Sequence, residues 1–192
     1  MLLAAGAGRR MGGPKALLRI GDESFLARAA RVLARPGVRS VVAVLGHEAA
    51  RVAAEAGAPA GVSFIENARY AEGMLSSIVR GLDEAETRGA DAVLLHPVDH
   101  PLVDPATVDR VVEALDEGAV IAVPTQGARR GHPGGFARAA WPALRAARPD
   151  RGARAVLADH PEWVVHVPGD PGCVLGIETP ADYGRWIAGL SP

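Results

Sequence analysis

Lysine is almost absent from this chain: of 21 basic residues only Lys15 is a lysine, and the rest are arginines. A compact ammonium on a flexible stem suits a phosphate oxygen, where the planar arginine fork would need a different geometry. Cysteine is equally scarce. The single Cys173 excludes an intramolecular disulfide framework and a cysteine-based zinc site, and fits a reducing cytoplasm. Charge of one sign is lacking too. A net charge of −1 leaves no basic field for a nucleic-acid polymer, although Arg9-Arg10 and Arg129-Arg130 are clusters able to hold a small polyanion. Long hydrophobic runs are missing: the apolar opening is broken by Gly6 and then by two arginines, so neither a signal peptide nor a membrane span is expected.

What is present is an alternation of short apolar runs with helical patterns, in a length of 192 residues that suits one compact domain over 1–192. The predicted strands are 2–5, 40–45, 62–65, 92–95, 119–123, 164–167 and 173–176. Helical stretches are predicted near 24–35, 47–57, 74–88, 104–117, 138–147, 152–159 and 180–190. Val41-Val42-Ala43-Val44-Leu45 and Val93-Leu94-Leu95 are continuous apolar runs, as strands covered on both faces require. Asp104-Pro105 and Thr179-Pro180 read as helix caps followed by proline in the first turn. The β-α-β order predicts an α/β fold with a doubly wound, mostly parallel sheet. The segment 124–133 lacks periodicity and reads as a surface excursion. In such sheets a ligand site lies at the carboxyl ends of the strands.

Lys15 closes a glycine-rich stretch, Leu3-Ala4-Ala5-Gly6-Ala7-Gly8-Arg9-Arg10-Met11-Gly12-Gly13-Pro14-Lys15, directly after an apolar strand. Two familiar phosphate loops do not fit it. A dinucleotide loop wants G-x-G-x-x-G, but Met11 holds the third glycine position and no acidic residue ends the second strand, where Gly46-His47 follow Leu45. A Walker loop wants glycine before and Ser/Thr after the lysine; here Pro14 and Ala16 stand there. The pattern that does fit is L-x-A-G-x-G-x-R-M-G-x-P-K, from Leu2 or Leu3 through Lys15. In it Gly6 and Gly8 let backbone N–H groups approach a triphosphate, while Arg10 and Lys15 supply positive charge.

This loop resembles the signature of nucleotidyltransferases that activate sugars, alditols or cofactors. Further stretches narrow the resemblance: Gly73-Met74-Leu75-Ser76-Ser77-Ile78, Leu94 through Leu102 around Val98-Asp99-His100-Pro101, Gly131-His132-Pro133, and Gly176 through Tyr183 around Glu178-Thr179-Pro180. Together, over nearly the whole chain, they are similar to the molybdenum-cofactor nucleotidyltransferases. They are most similar to the cytidylyltransferase branch, because Ala4-Ala5-Gly6 stands where the GTP-using branch tends to carry Ala-Gly-Gly. The resemblance implies a Rossmann-like (GT-A-like) nucleotidyltransferase fold and a cytoplasmic enzyme. It also implies transfer of CMP from CTP to a phosphate-bearing acceptor, with Mg²⁺ as cofactor. The implied acceptor is molybdopterin, with a molybdoenzyme or chaperone as a transient partner and neither nucleic acid nor membrane.

Carried over residue by residue, the resemblance implies that Ala4, Ala5, Gly6, Gly8, Arg10, Lys15, Gly73, Ser77 and Asp99 bind the nucleotide. Arg10, Lys15 and Asp99 would be catalytic, and Gly131 and His132 would meet the acceptor. Asp99, a few residues past a buried strand, would bind the metal, with Glu178 as a second ligand. Glu178 stands where related chains have Asp or Asn, so its extra methylene alters its reach. Each residue also has a plainer reading. Asp99 could cap the turn before Pro101, Glu178 could answer the dipole of the last helix, Ser77 could pack, and His132 could be an exposed loop histidine. Asp182 is assigned to the terminus of the last helix, Arg9 to solvent and His96 to a strand end. The other histidines show no zinc-ligand spacing. The first strand is expected to be short, since Met1 stands close to the glycine loop where related chains have several residues more. A phosphate monoester acceptor needs no strong base, so catalysis would come from in-line positioning and charge neutralisation. A sugar- or alditol-phosphate nucleotidyltransferase, a guanylyltransferase of the same fold, an NAD(P)-linked reductase and a non-catalytic nucleotide-binding module remain as alternatives.

Overall fold

The structure is a computed structural model and describes residues 1–149 and 151–187. In chain order its strands and helices are β1 (Leu2–Ala4), β2 (Arg19–Ile20), β3 (Glu23–Ser24), α1 (Phe25–Leu33), β4 (Val41–Leu45), α2 (Ala49–Glu55), β5 (Val62–Glu66), α3 (Met74–Thr87) and β6 (Ala92–Pro97). There follow α4 (Pro105–Asp116), β7 (Ile121–Gln126), β8 (Arg129–Arg130), β9 (Gly134–Ala137), α5 (Trp141–Ala146), α6 (Ala153–Asp159), β10 (Val164–Pro168) and α7 (Pro180–Trp186). The main sheet has the order β10-β7-β9-β6-β1-β4-β5, with β8 folded back onto β7. Its centre, β6-β1-β4-β5, is parallel, as is β7-β10, whereas β9 runs antiparallel to both β6 and β7.

Two apolar cores cover the faces of this sheet, and the strand residues alternate between them as the two-residue period of a strand requires. Leu2 and Ala4 of β1, with Ala43 and Leu45 of β4, pack with Phe25, Leu26 and Val108 on the face that carries α1 and α4. Leu3 and Val44 point the other way, onto the core that contains Ile78, Leu82, Trp141 and Leu144. The three-layer α/β class read from the sequence is therefore present, with one mixed edge.

Four local expectations are corrected. Residues 173–176 form no strand: Pro171–Val174 is a turn of 3₁₀-helix, nucleated by proline and closed by the Asp170 carboxylate, which accepts from Gly172 N at 2.7 Å. The segment 124–133 is largely a hairpin, with Thr125 opposite Arg130 and Gln126 opposite Arg129. Strand β9 was not foreseen, because Gly134-Gly135 has no strand-like side chains. Glycine is there because α4 lies too close for a Cβ, which at Gly135 would sit 2.8 Å from Leu115 Cδ1 and Val111 Cγ1. The small hairpin β2–β3 also lies inside what looked like loop and helix start. The last helix was expected over 180–190; Pro180–Trp186 is seen, and residues 188–190 lie outside the described residues. The short β1 is borne out at three residues, in register with Ala43–Leu45 on one side and His96–Pro97 on the other. No helix among the described residues is long and apolar enough to cross a membrane.

Candidate active site

The carboxyl ends of β1 and β6 and the start of α3 open into one cleft of about 380 Å³. Its lining brings together nearly all the residues that the sequence nominated for the nucleotide: Ala4, Ala5, Gly6, Gly8, Arg10, Lys15, Gly73, Ser77 and Asp99. The glycine loop leaves β1 and curls through a 3₁₀ turn at Arg9–Met11. Gly8 is held at φ 58°, and a Cβ there would fall 1.9 Å from Gly13 O, so only glycine fits. Gly8 O accepts from Met11 N at 2.7 Å and from Gly13 N at 3.4 Å. The amides of Gly6, Ala7, Gly8, Arg9 and Arg10 donate to no protein acceptor among the described residues. A run of unsatisfied amides at the end of a central strand is a site for an anion.

Lys15 begins the next 3₁₀ turn, Lys15–Leu17, and its ammonium meets Asp99 Oδ2 at 2.7 Å. Asp99 reaches that point because β6 continues its pairing beyond Pro97: Val98 N donates to Leu3 O at 3.2 Å, and the chain then turns as His100 N donates to Pro97 O. The second carboxylate oxygen, Oδ1, lies 3.0 Å from His100 Nδ1. Burial opposes ionisation of Asp99, but the hydrogen bonds and charges of His100 and Lys15 prevail and hold the carboxyl well below the usual carboxylate range. Asp99 is thus no mere turn cap, because both its oxygens are spoken for by side chains.

Arg10 and Glu178 make the second pair, Nη2 to Oε2 at 2.8 Å, at the exposed lip of the cleft. The segment that carries Glu178 is tied to the Asp99 turn through Ile177 N, which donates to Asp99 O at 2.8 Å. A Cβ on Gly176 would stand 3.3 Å from His100 Cε1 and 3.9 Å from Glu178 Cγ, so these groups border one space. In this arrangement each acidic residue nominated for the metal is matched to a cation nominated for phosphate. The assignment of Asp182 to the last helix is borne out: Asp182 Oδ2 accepts from Thr179 N while Thr179 Oγ1 accepts from Asp182 N, a reciprocal cap.

Ser77 is buried on α3, where its Oγ accepts from Asn67 Nδ2 at 3.0 Å. The same amide group donates to Ser76 Oγ at 2.8 Å, and Asn67 Oδ1 accepts from Arg69 N. Asn67, just past β5, is a positioning residue that the sequence reading missed; its place after a strand at the functional edge was the available signal. His100 was missed likewise, although its adjacency to Asp99 was plain.

His132 is not exposed. Its Nδ1 is buried without a hydrogen-bond partner, its backbone N donates to Cys173 O at 2.8 Å, and its ring meets that of His100 edge-on at 4.5 Å between centroids. Burial pushes its pKa down to about 3, with the neighbouring His100 adding to the shift. His96, at the end of β6 as expected, is wholly buried with neither ring nitrogen partnered, and burial keeps it well below the usual histidine range. Neutral, crowded imidazoles therefore back the Asp99 turn. Gly131 is buried against the Pro171–Val174 turn, its N donating to Pro124 O at 2.7 Å, and neither it nor His132 lines the nucleotide cleft. Both line a second cavity beside it.

A family described as "MobA-like NTP transferase domain" matches residues 1–164. The chain belongs to this family. Among curated MobA-like relatives, the nicotine blue oxidoreductase of Paenarthrobacter nicotinovorans is 34% identical over 173 residues, covering 86% of this chain and 83% of that protein. The 2-C-methyl-D-erythritol 4-phosphate cytidylyltransferase of Saccharopolyspora erythraea is 39% identical over 127 residues, 63% of this chain and 56% of that protein. Among solved structures, Rv0371c of Mycobacterium tuberculosis H37Rv superposes with a TM-score of 0.82 at 28% identity, covering 97% of this chain and 95% of that one. It has also been solved in complex with manganese. A nucleotidyltransferase of the MobA-like type, on the Rossmann-like fold of its neighbours, is thereby established.

Proposed function

We propose that this protein transfers CMP from CTP to a phosphate-bearing acceptor, releasing pyrophosphate, and that molybdopterin is the acceptor. The observation that carries the reading is the Lys15–Asp99 pair set against the unsatisfied amides of the glycine loop, inside one cleft at the carboxyl edge of β1 and β6. CTP is favoured by Ala4-Ala5-Gly6 and by the cytidylyltransferase relative. The acceptor is favoured by the sequence motifs around Asp99, His132 and Glu178.

The donor set fits a divalent metal. Mg²⁺ typically takes one or two carboxylates together with waters and substrate phosphates, and Asp99 and Glu178 supply two hard oxygen donors beside the phosphate loop. Bound by Asp99 and Glu178, the ion would neutralise phosphate charge; the manganese complex of Rv0371c agrees with a divalent cation in this family. Among the described residues no three His, Cys, Asp or Glu side chains are grouped so as to hold a metal ion by themselves.

The chain's own residues account for the rest. Loop amides receive the phosphate oxygens, and Lys15 and Arg10, released from their carboxylate partners, move to the charge that develops on the leaving pyrophosphate. The acceptor phosphate is already anionic near neutral pH, so its oxygen attacks the α-phosphorus without a protein base while the bond to pyrophosphate breaks. His100 and Asn67 hold Asp99 and Ser77 in place. Burial and the nearby Asp170 push the Cys173 thiol up to about 11, so it is held protonated near neutral pH.

Asp99→Asn tests the reading: turnover should fall by about 10²–10³-fold, the cost of losing one preorganised charged group, with the fold unchanged. A rate within twofold of wild type would overturn it. A second reading rests on the oxidoreductase relative, which spans 86% of this chain: the same cleft would hold NADPH. Thermal shifts with CTP, GTP and NADPH, each with and without Mg²⁺, separate the two. A ligand at 100 times its Kd adds about 2.7 kcal/mol, roughly 5–10 °C for a chain of this size. A Mg²⁺-dependent shift with CTP supports transfer; a shift with NADPH alone supports the reductase.

A further inference from the structure

Strand β5 ends the main sheet on one side and β10 on the other, so each has one edge with no strand beside it. The two edges differ. Strand β10 closes on Pro168, which has no N–H, and the Pro168 carbonyl accepts from Arg110 Nη1 at 3.3 Å. Such an edge is blunted against pairing. Strand β5 reads Val62-Ser63-Phe64-Ile65-Glu66, with neither proline nor lysine, and Phe64 is 37% exposed.

The phase of the β5 ladder decides which backbone groups point outward. Asn67 N donates to Leu45 O at 2.8 Å, so Asn67 faces β4. Backbone groups alternate sides along a strand, and β5 keeps parallel register with β4 from Val62 to Glu66. Ser63 and Ile65 therefore bond to β4, whereas Val62, Phe64 and Glu66 turn their N–H and C=O groups away from the sheet. Two of those outward groups are engaged within the chain. Val62 N donates to Pro59 O at 3.3 Å, and Glu66 O accepts from Arg80 Nε at 3.3 Å. Val62 O, Phe64 N, Phe64 O and Glu66 N are left without a partner among the described residues.

One arrangement uses all of these groups. Two antiparallel copies of β5, related by a twofold axis at Phe64, exchange the Phe64 N–H and C=O with each other. In the same register Glu66 N of each copy meets Val62 O of the other. The groups this pairing leaves over, Val62 N and Glu66 O, are the two the chain already satisfies by itself. Sliding the pair by two residues either way sets those engaged groups against the free ones and halves the new bonds. The side chains agree. Val62 packs on the core below α1, so Phe64 and Glu66 share that face. Phe64 then stands beside its counterpart with Cα atoms about 5.5 Å apart, as a cross-strand aromatic pair. Glu66, the one charge of the strand, falls opposite Val62 and about 14 Å along the strand from its own counterpart. Arg39, exposed two residues before Val41, the register partner of Val62, puts a cation at that end.

We propose that β5 is the interface through which two copies of this chain associate, antiparallel and in register at Phe64. No residue of β5 lines the nucleotide cleft, so the inference is independent of the transfer reading.

Sedimentation equilibrium over about a hundredfold range of protein concentration tests it. The wild type should pass from one chain to two. Phe64→Pro removes an N–H that the fold itself does not use, at an edge position where proline is tolerated. It should weaken association at least about tenfold, through the lost bonds and the lost aromatic pair. Register is read by cysteine cross-linking under a mild oxidant, with Cys173 buried and silent. Phe64→Cys should form a disulfide between copies, its Cα separation lying in the usual range, whereas Val62→Cys, about 14 Å from its counterpart, should not. The proposal is overturned if the wild type stays a single chain throughout, if folded Phe64→Pro associates as the wild type does, or if Val62→Cys cross-links as readily as Phe64→Cys. Should Phe64→Pro fail to fold by circular dichroism, the wild-type mass and the cysteine pair decide.

Discussion

Lys15 and Asp99 are each other's counter-charge in a half-buried setting, with side chains 16% and 23% exposed. Removing either leaves a charge in a place where water replaces it poorly. On the transfer reading the same closeness would prepare an exchange, with an incoming triphosphate offering Lys15 a better partner and freeing a carboxylate oxygen. Gly8 makes the exchange possible by shaping the loop, which gives a prediction at this scale. Gly8→Ala costs about 1–2 kcal/mol in backbone strain alone, and its methyl group collides with Gly13 O. CTP affinity, read by calorimetry, should fall at least about tenfold; unchanged affinity would show that the loop does not bind phosphate in this conformation. Lys15 and Gly8 were legible in the sequence because composition and spacing mark them. His100 and Asn67 were not, since each acts through a neighbour, even though Asn67 is the single asparagine of the chain.

At the level of elements, the Pro171–Val174 turn does what a predicted strand could not. It packs its backbone on Gly131, where a Cβ would lie 2.5 Å from Cys173 Sγ and 2.6 Å from Cys173 O. Gly131→Ala should destabilise the protein by about 1–3 kcal/mol, the usual cost of overpacking. The urea midpoint should drop while CTP affinity stays near wild type; a loss of CTP binding without a loss of stability would place Gly131 in the nucleotide site instead. The hairpin β7–β8, the glycine strand β9 and this turn together form the mixed edge of the sheet. Sequence periodicity is weakest there. A strand of Gly134-Gly135-Phe136 exists because α4 presses on it, which is a tertiary fact.

For the molecule as a whole, buried imidazoles set the response to acid. His96 and His132 are neutral when folded, and both have pKa values below the ordinary 6.5, about 3 for His132. Between pH 6.5 and 3 the unfolded chain binds protons that these folded histidines refuse. Their contribution is full above pH 7 and falls as pH drops through this window, beside that of the buried Met1 amine, whose pKa burial lowers to about 5. At pH 5 the loss from His132 is about 2 kcal/mol, and His96 adds to it in the same direction. Asp99 acts in the same sense in a more acid window: its carboxyl is depressed below 3.8, so the stability it contributes is full above that value and is lost as pH falls below it. Urea midpoints at pH 7.5 and pH 5 should therefore differ clearly; a midpoint constant over that range would show that the two histidines are protonated or solvated in the folded state.

Sequence alone was enough for the α/β class, the parallel centre of the sheet, the caps at Asp104 and Thr179 and the place of the glycine loop after the first strand. Each rests on contacts between residues a few positions apart, or on the run of apolar residues in one strand. Tertiary structure alone decided that Lys15 meets Asp99 across 84 positions, that Arg10 meets Glu178, and that the half-buried ring of His132 packs edge-on against His100. Such pairings depend on which strand ends lie side by side. That order, β6-β1-β4-β5 with β9 interposed on the far side of β6, is chosen by packing of whole faces rather than by any local preference.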